Sequence, residues 1–333
     1  MPRKHSIIKE LVTDVIQRFP TSSKRSLARK LHAEYPQVFY SEEHARGHIK
    51  AYTGTSGAVN KKGYKTQLQM KSNFSGDNPY GLPKSDAKPA KHFVMPTANN
   101  NILVLSDIHL PYHDINAVSI ALDYGKKHEI NTILLLGDIL DCHKASFHEQ
   151  DPRKRSLADE FETAREFLDI LKREFPKANI FFKEGNHEKR WERYLRVHAP
   201  AALDMAEFRL DVILKLREKG ITWIPNEQVI KIGKLYAIHG NEYKGGGGIN
   251  AARTLWLRAG ESTICGDKHK TQNMIKTNIS GKVHGTWVIG CLCELNPEYL
   301  SLNEWNLGYA HIVVHKGGEF EVHNKQIING KVF

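Results

Sequence analysis

Three stretches share one grammar: ILVLSDIH (102–109), TILLLGDILD (132–141) and NIFFKEGNHE (179–188). Each opens with a short, β-favouring apolar run and closes on Asp, His, Asn or Gly. The apolar runs barely alternate with polar residues, which is the pattern of strands covered on both faces. Between them, residues at about 116–128 and 159–174 have helical spacing of their apolar side chains. Strand, helix, strand, helix predicts an α/β architecture with buried sheets. After residue 220 the strand signals crowd together: ITWIP (221–225), EQVIKI (227–232), KLYAIH (234–239), STIC (262–265), GTWVIGCLC (285–293) and GYAHIVV (308–314). Few helices separate them, so a second sheet packed on the first is expected. No internal repeat is evident.

Upstream the texture is different. Residues 5–19 place Ile7, Ile8, Leu11, Val12 and Val15 at helical intervals, and Pro20 stops the run. Thr21, Ser22 and Ser23 supply a cap for a second helix bearing Leu27, Ala28 and Leu31. Ser41, followed by Glu42 and Glu43, starts a third that runs to about Tyr52, where Gly54 ends it. Residues 1–54 therefore read as a small, basic, helix-turn-helix-like module, although the link between its second and third helices is long for that motif. Residues 55–99 are rich in Gly, Ser, Lys, Asn and Pro and read as a linker or an arm. Its Tyr64, Phe74 and Tyr80 either stack on bases or pin the arm to the domain at 100–333.

The net charge of +11 over 333 residues is unevenly spread. Residues 1–100 hold 17 Lys and Arg against 7 Asp and Glu, whereas the remainder holds 31 against 30. A basic appendage on a near-neutral domain points to a polyanion such as nucleic acid as partner, or else to a solvated tail. No apolar run is long enough to span a membrane, and the charged N-terminus has no signal-peptide core. The four cysteines, Cys142, Cys265, Cys291 and Cys293, show neither a CxxC nor a disulfide framework. Reduced thiols in a cytoplasmic protein are expected. Nothing in the sequence specifies the oligomeric state.

The polar residues that close the strands form a constellation. Asp107 and His109 follow the first strand, and Gly137, Asp138 and Asp141 the second. Gly185, Asn186, His187 and Glu188 follow the third, His239 and Gly240 a later one, and Gly266, Asp267 and His269 the next. Loops at strand C-termini are where α/β folds assemble sites. Singly each residue has a plain explanation: an Asp after a strand often caps a helix, and the chain has 18 His. Five clusters of hard-metal ligands, each at a strand end, are a poor coincidence. Hydrolysis of a phosphate ester at neutral pH needs a deprotonated water and neutralised phosphoryl charge, and two divalent cations sharing a carboxylate provide both. Mixed Asp, His and Asn ligands suit Mn²⁺, Fe or Zn²⁺.

The series DIH, GDILD, GNHE, HG and GDKH resembles the calcineurin-like metallophosphoesterases over about residues 101–315. SFHEQDP, GNHEKRWERYL and WNLGYAHIVV are similar to a branch found in phages and mobile elements. The resemblance implies a four-layer sandwich of two mixed sheets flanked by helices. It implies one cation on Asp107, His109, Asp138 and His269, and a second on Asp138, Asn186, His239 and Asp267. Asp138 would be the bridge, and His187 the catalytic histidine beside the leaving oxygen. Asp141 either orients His187 or caps a helix. The family usually ends this set with Gly-His-x-His, but here the residues are Gly266-Asp267-Lys268-His269. A carboxylate at 267 favours a harder ion, which places Mn²⁺ first with Mg²⁺, Fe and Zn²⁺ behind it.

Softer candidates surround the set. Arg190 and Arg193 follow GNHE and read as phosphate clamps or as surface residues. His143 and His148, together with Arg153, Lys154 and Arg155, read as a rim of the site or as solvated side chains. KGGGGIN (244–250) reads as a lid before a helix rather than a nucleotide-binding loop, because the Lys-Ser/Thr of that motif is missing. The expected function is hydrolysis of phosphodiesters in nucleic acid. The alternatives are a phosphomonoesterase or Ser/Thr-type protein phosphatase, and a nucleic-acid-binding regulator with a vestigial phosphoesterase domain.

Overall fold

The computed structural model describes residues 4–53, 82–83, 87, 90–146, 156–244, 248–297 and 302–333. The chain divides into two compact units, residues 1–88 and 89–333.

The first unit contains α1 (Lys4–Arg18), α2 (Lys24–Glu34) and α3 (Glu42–Thr53). The Ser23 side chain caps α2 by accepting the Ser26 N–H at 3.1 Å, and the Ser41 hydroxyl takes the His44 N–H at 3.1 Å. Val12 and Val15 of α1, Leu27, Ala28 and Leu31 of α2, and Ala45, Ile49 and Tyr52 of α3 close one apolar core. The seven residues between α2 and α3 do not form a tight turn. Phe39 plugs the core from within this link, and its carbonyl accepts from His32 Nδ1 at 2.5 Å.

The second unit is layered. Its larger sheet has the order β13-β12-β11-β2-β3-β4-β5. There β2 (Asn101–Leu105), β3 (Thr132–Leu136), β4 (Asn179–Lys183) and β5 (Ile221–Ile224) run parallel. The strands β11 (Leu307–Val314), β12 (Phe320–Ile328) and β13 (Lys331–Val332) add on antiparallel. The smaller sheet has the order β1-β6-β7-β8-β10-β9. It comprises β1 (Phe93–Val94), β6 (Ile230–Ile232), β7 (Leu235–Ile238), β8 (Thr263–Cys265), β9 (Gln272–Thr277) and β10 (Val283–Val288), with both parallel and antiparallel pairs.

Side chains alternate across a strand, and this explains the unbroken apolar runs. Leu103, Leu105, Ile133, Leu135, Ile180 and Phe182 face one way, onto α4 (Ile115–Lys127) and α5 (Leu157–Glu174). Ile102, Val104, Leu134, Leu136 and Phe181 face the other way, onto Ile230, Ile232, Leu235, Ala237 and Ile264 of the smaller sheet. The far side of that sheet packs Ile238, Cys265 and Val288 on α8 (Ala251–Ala259). The four layers are thus helix, sheet, sheet, helix. Among the described residues, the remaining α-helices of this unit are α6 (Glu188–His198) and the single turn α7 (Leu210–Ile213).

Three strands carried no clear sequence signal. β9 is an edge strand, while β12 and β13 lie at the rim of the larger sheet, and their side chains are largely half-buried or exposed. With no face buried along its whole length, none of them shows an apolar run. β1 lies within the stretch read as an arm, and there Phe93 and Met95 pack into the inter-sheet core.

Candidate metal centre

The C-terminal ends of β2, β3, β4, β7 and β8 deliver the side chains of five loops to one place. Backbone hydrogen bonds fix the first two loops to each other: His109 N–H donates to the Asp138 carbonyl at 3.0 Å, and Asp107 N–H to the Gly137 carbonyl at 3.1 Å. The Asp267 N–H reaches across to the Asp107 carboxylate at 3.0 and 3.1 Å. Asp107, Asp138, His109, His239 and His269 are all buried.

Backbone conformation marks the same residues. Among the described residues, nine non-glycine residues have positive φ, and five of them are Asp107, His109, Asp138, Asp267 and His269. A left-handed residue with a Cβ costs about 1–3 kcal/mol and survives only where its surroundings over-determine it. Glycines allow the close approach. A Cβ on Gly185 would lie 2.2 Å from Asp138 Oδ1, and one on Gly266 would lie 2.5 Å from Asp107 Oδ2.

The donor atoms converge on Asp138. Its Oδ1 lies 3.1 Å from His239 Nε2, and its Oδ2 lies 3.7 Å from His187 Nε2 and 4.0 Å from His109 Nε2. On one side, His269 Nε2 is 3.2 Å from Asp107 Oδ1 and 3.3 Å from His109 Nε2. On the other, Asp267 Oδ1 is 3.8 Å from His239 Nε2. Two ligands bound at about 2.1 Å to one ion lie roughly 3 to 3.5 Å apart, so these separations suit a shared cation. Burial alone would lift the Asp138 carboxyl, but the imidazoles of His187, His239 and His109 outweigh it and hold it well below the usual carboxylate range.

The tautomers give an independent test of fit. His239 Nδ1 lies 2.7 Å from the Leu136 carbonyl, which can only accept, so Nδ1 carries the proton. Among the described residues, its buried Nε2 has no hydrogen-bond partner beyond the Asp138 carboxylate that it faces at 3.1 Å. In the neutral ring that nitrogen bears a lone pair, and a lone pair opposite a carboxylate is stable only with positive charge between or upon them. Asn186 Oδ1 is likewise buried without a hydrogen-bond partner among the described residues. Both atoms have the character of metal ligands, with the outer nitrogen of the imidazole held by backbone. The carboxylate and imidazole sets Asp107/Asp138/His239 and His109/Asp138/His187 each bring their donor atoms within 4.8 Å of one another.

In the turn that follows Asp141, His143–Ala145, the capping position is Cys142. Asp141 Oδ1 lies 3.2 Å from His109 Nδ1 and 3.1 Å from His187 Nδ1, and the hydrogen bond of His187 Nδ1 goes to the Asp141 main-chain carbonyl at 2.9 Å. Both rings hold Asp141 ionised against the effect of burial. Arg190 Nη1 donates to the Asp141 carbonyl at 2.9 Å, and Nη2 lies 2.8 Å from His187 Nε2. Arg193 is exposed farther along α6. His143 sits half-buried in the turn His143–Ala145. Tyr64, Phe74, Tyr80, His148, Arg153, Lys154, Arg155 and the glycines 245–247 lie outside the described residues.

Two supporting groups had no role assigned from sequence. Glu188 is buried at the start of α6, and its carboxylate collects the N–H groups of Asp138, Ile139, Leu140 and Gly185 at 2.7 to 3.0 Å. It ties the GDILD loop to the GNHE loop. Lys183, fully buried at the end of β4, lies 3.1 Å from Glu242. Glu242 in turn accepts the N–H groups of His239 and Gly240 at 3.1 and 2.7 Å. Glu188 stands inside a recognisable motif. Lys183 instead ends an apolar strand and is invisible as a functional residue until β4 and β7 are in place.

Comparison with known proteins bears on this geometry. The Gene 54 proteins of Mycobacterium phages L5 and D29 are each 24% identical to this chain over 234 residues, covering 65% of it and 89% of the phage protein. Vacuolar Protein Sorting 29 from Cryptosporidium parvum aligns with a TM-score of 0.41 at 16% identity, over 70% of this chain and 94% of that one. The E. coli phosphoesterase YfcE aligns with a TM-score of 0.32 at 11% identity, over 67% and 98%. The profile of the calcineurin-like phosphoesterases matches residues 101–279, more than half of the chain, and takes in β2 through β8 with every residue of the cluster around Asp138. By that match the chain belongs to the calcineurin-like phosphoesterases, as a metal-dependent hydrolase of phosphate esters.

Proposed function

We propose that this phosphoesterase cleaves phosphodiester bonds in nucleic acid with two divalent cations, Mn²⁺ foremost. The observation that carries the two-cation reading is the Asp138 carboxylate, which faces His239 through one oxygen and His109 and His187 through the other. Asp107, His109, Asp138 and His269 would hold one cation, and Asp138, Asn186, His239 and Asp267 the other. The cations would neutralise phosphoryl charge and acidify a water. The hard carboxylate at Asp267 supports Mn²⁺ over softer ions.

The chain's own residues do the rest. Asp141 orients His187 by holding its Nδ1, which leaves Nε2 facing the site. In its doubly protonated form the ring would donate from Nε2 to the departing alkoxide, worth roughly 10²- to 10⁴-fold in rate, and would be left neutral with its proton on Nδ1. Arg190 stands on that same nitrogen. A phosphoryl group entering there takes the guanidinium as a two-pronged clamp and frees the imidazole to serve the leaving oxygen.

Support for a nucleic-acid substrate comes from charge. Almost all of the excess of +11 falls in the first 100 residues, while the catalytic unit is nearly neutral. In the first unit, Lys24, Arg25 and Arg29 stand exposed on α2. Phosphate contacts made by such side chains release counterions, so binding should weaken steeply with salt. The test compares bis-p-nitrophenyl phosphate with p-nitrophenyl phosphate under Mn²⁺, then labelled DNA and RNA at 50 and 200 mM salt. Asp138→Asn serves as the control. Preference for the monoester, or DNA and RNA cleavage no greater than that of the control, would overturn the substrate assignment.

A further inference from the structure

His269 has two nitrogens with different neighbours. Nε2 faces Asp107 and His109, at 3.2 and 3.3 Å. Nδ1 faces sulfur: Cys293 Sγ lies 4.0 Å away, within the range of an N–H to sulfur hydrogen bond. The neighbouring Cys291 thiol donates to the Asn306 carbonyl at 3.6 Å. Both thiols are buried and unpaired by disulfide. The indole of Trp305 closes a third side edge-on, with ring centroids 4.1 Å apart.

This sulfur wall is built, not incidental. The segment that carries the thiols is stitched to the ligand loop by backbone hydrogen bonds. Leu292 N–H donates to the Asp107 carbonyl at 3.0 Å, Asp114 N–H to the Leu292 carbonyl at 2.9 Å, and Glu294 N–H to the Tyr112 carbonyl at 2.9 Å. The His269 carbonyl is itself held by the Asn306 N–H at 2.9 Å. Cys293, His109 and His269 bring donor atoms within 4.8 Å of one another.

We propose that Cys293, with Cys291 beside it, is a positioning residue for the first cation site: its sulfur accepts the Nδ1–H of His269 and aims the lone pair of Nε2 at the ion. The inference rests on the metal-site reading above. A ligating histidine ordinarily gives its outer N–H to an oxygen. Contrast His239, whose Nδ1–H goes to the Leu136 carbonyl at 2.7 Å. Here a weaker, more polarisable acceptor replaces oxygen on one of the two sites. The two cation sites therefore differ in their outer partners, and a change at Cys293 should act on one of them alone.

The experiment is Co²⁺ binding to the full chain, followed by calorimetry and by visible and near-ultraviolet absorption. The wild type should bind two ions. Cys293→Ala should lose about 10- to 100-fold in affinity at one site and leave the other unchanged, the usual effect of removing an outer partner. Cys293→Ser, which keeps an acceptor, should recover most of the loss. Val118→Ala, a similar small truncation in the buried face of α4, should bind like the wild type. Near-wild-type binding by Cys293→Ala, or equal loss in the Val118→Ala chain, overturns the positioning role. So does an intense thiolate-to-cobalt band that disappears in Cys293→Ala, because the sulfur would then be a ligand itself. A wild type that binds no Co²⁺ sinks the metal-site reading, and this inference with it.

Discussion

Replacing Glu188 by glutamine is the most discriminating single change outside the ligands. The carboxylate takes four backbone N–H groups: Ile139 at 2.7 Å and Leu140 at 3.0 Å on Oε1, and Gly185 at 2.8 Å and Asp138 at 3.0 Å on Oε2. Glutamine keeps one oxygen and turns an amide NH₂ toward two N–H donors. Two buried donors lose their acceptor, at about 1–3 kcal/mol each, or roughly 2–6 kcal/mol together. Native domains are stable by only about 5–15 kcal/mol, so the effect is large for a nearly isosteric change. The readout is simple, because all five tryptophans lie in residues 89–333. Denaturant unfolding followed by tryptophan fluorescence therefore reports the catalytic unit alone. We expect a lowered midpoint and weaker Mn²⁺ binding, since the freed loop carries Asp138. A midpoint within about 0.5 kcal/mol of wild type, the ordinary scatter of surface substitutions, would refute the clamp.

Two further outcomes follow from particular side chains. Asp267→His should move the metal preference from Mn²⁺ toward Zn²⁺ by about tenfold or more in relative affinity, measured by competition, because an imidazole replaces a hard oxygen; an unchanged ratio would show that Asp267, whose other oxygen pairs with Lys268, stands off the ion. Glu160 is buried, accepts the Cys142 N–H, and is pushed up to about 8 by burial and by the charges of Asp141 and Glu188. Its folded value is raised above the unfolded one, so the stability that Glu160 contributes declines as pH rises from about 4.5 to 8, by up to about 5 kcal/mol for a shift of this size. Glu160→Gln keeps an acceptor and does not titrate. Its stability relative to wild type should climb across that window, and parallel pH profiles for the two chains would refute the assignment.

The local grammar of strand and loop was sufficient for much of this molecule. The runs 102–105, 133–136 and 180–182 are apolar at successive positions because both of their faces are covered, by helices on one side and a second sheet on the other. A residue's burial on both faces leaves its mark in its own identity, so these strands and the Asp, His and Asn that end them can be read directly. The three N-terminal helices were legible for the same kind of reason, through Pro20, Ser23, Ser41 and their apolar spacing. Strands β9, β12 and β13 were not, because a rim strand owes its existence to a neighbour's hydrogen bonds rather than to its own side chains.

What only the tertiary structure decided is which groups surround the ligands. Sequence alone left Asp141 open between two readings; in the fold its carboxylate lies beside the Nδ1 atoms of both His109 and His187, and its carbonyl lies 2.9 Å from the latter. Cys293 stands 24 residues from His269 along the chain, and Lys183 stands 59 from Glu242. Neither pair belongs to a motif: Lys183 meets Glu242 because the two sheets close on each other, and Cys293 meets His269 because β10 pairs with β8 in the smaller sheet. The ligand types follow from chemistry and can be written locally, whereas the partners that aim them are set by long-range packing, which no window of sequence contains.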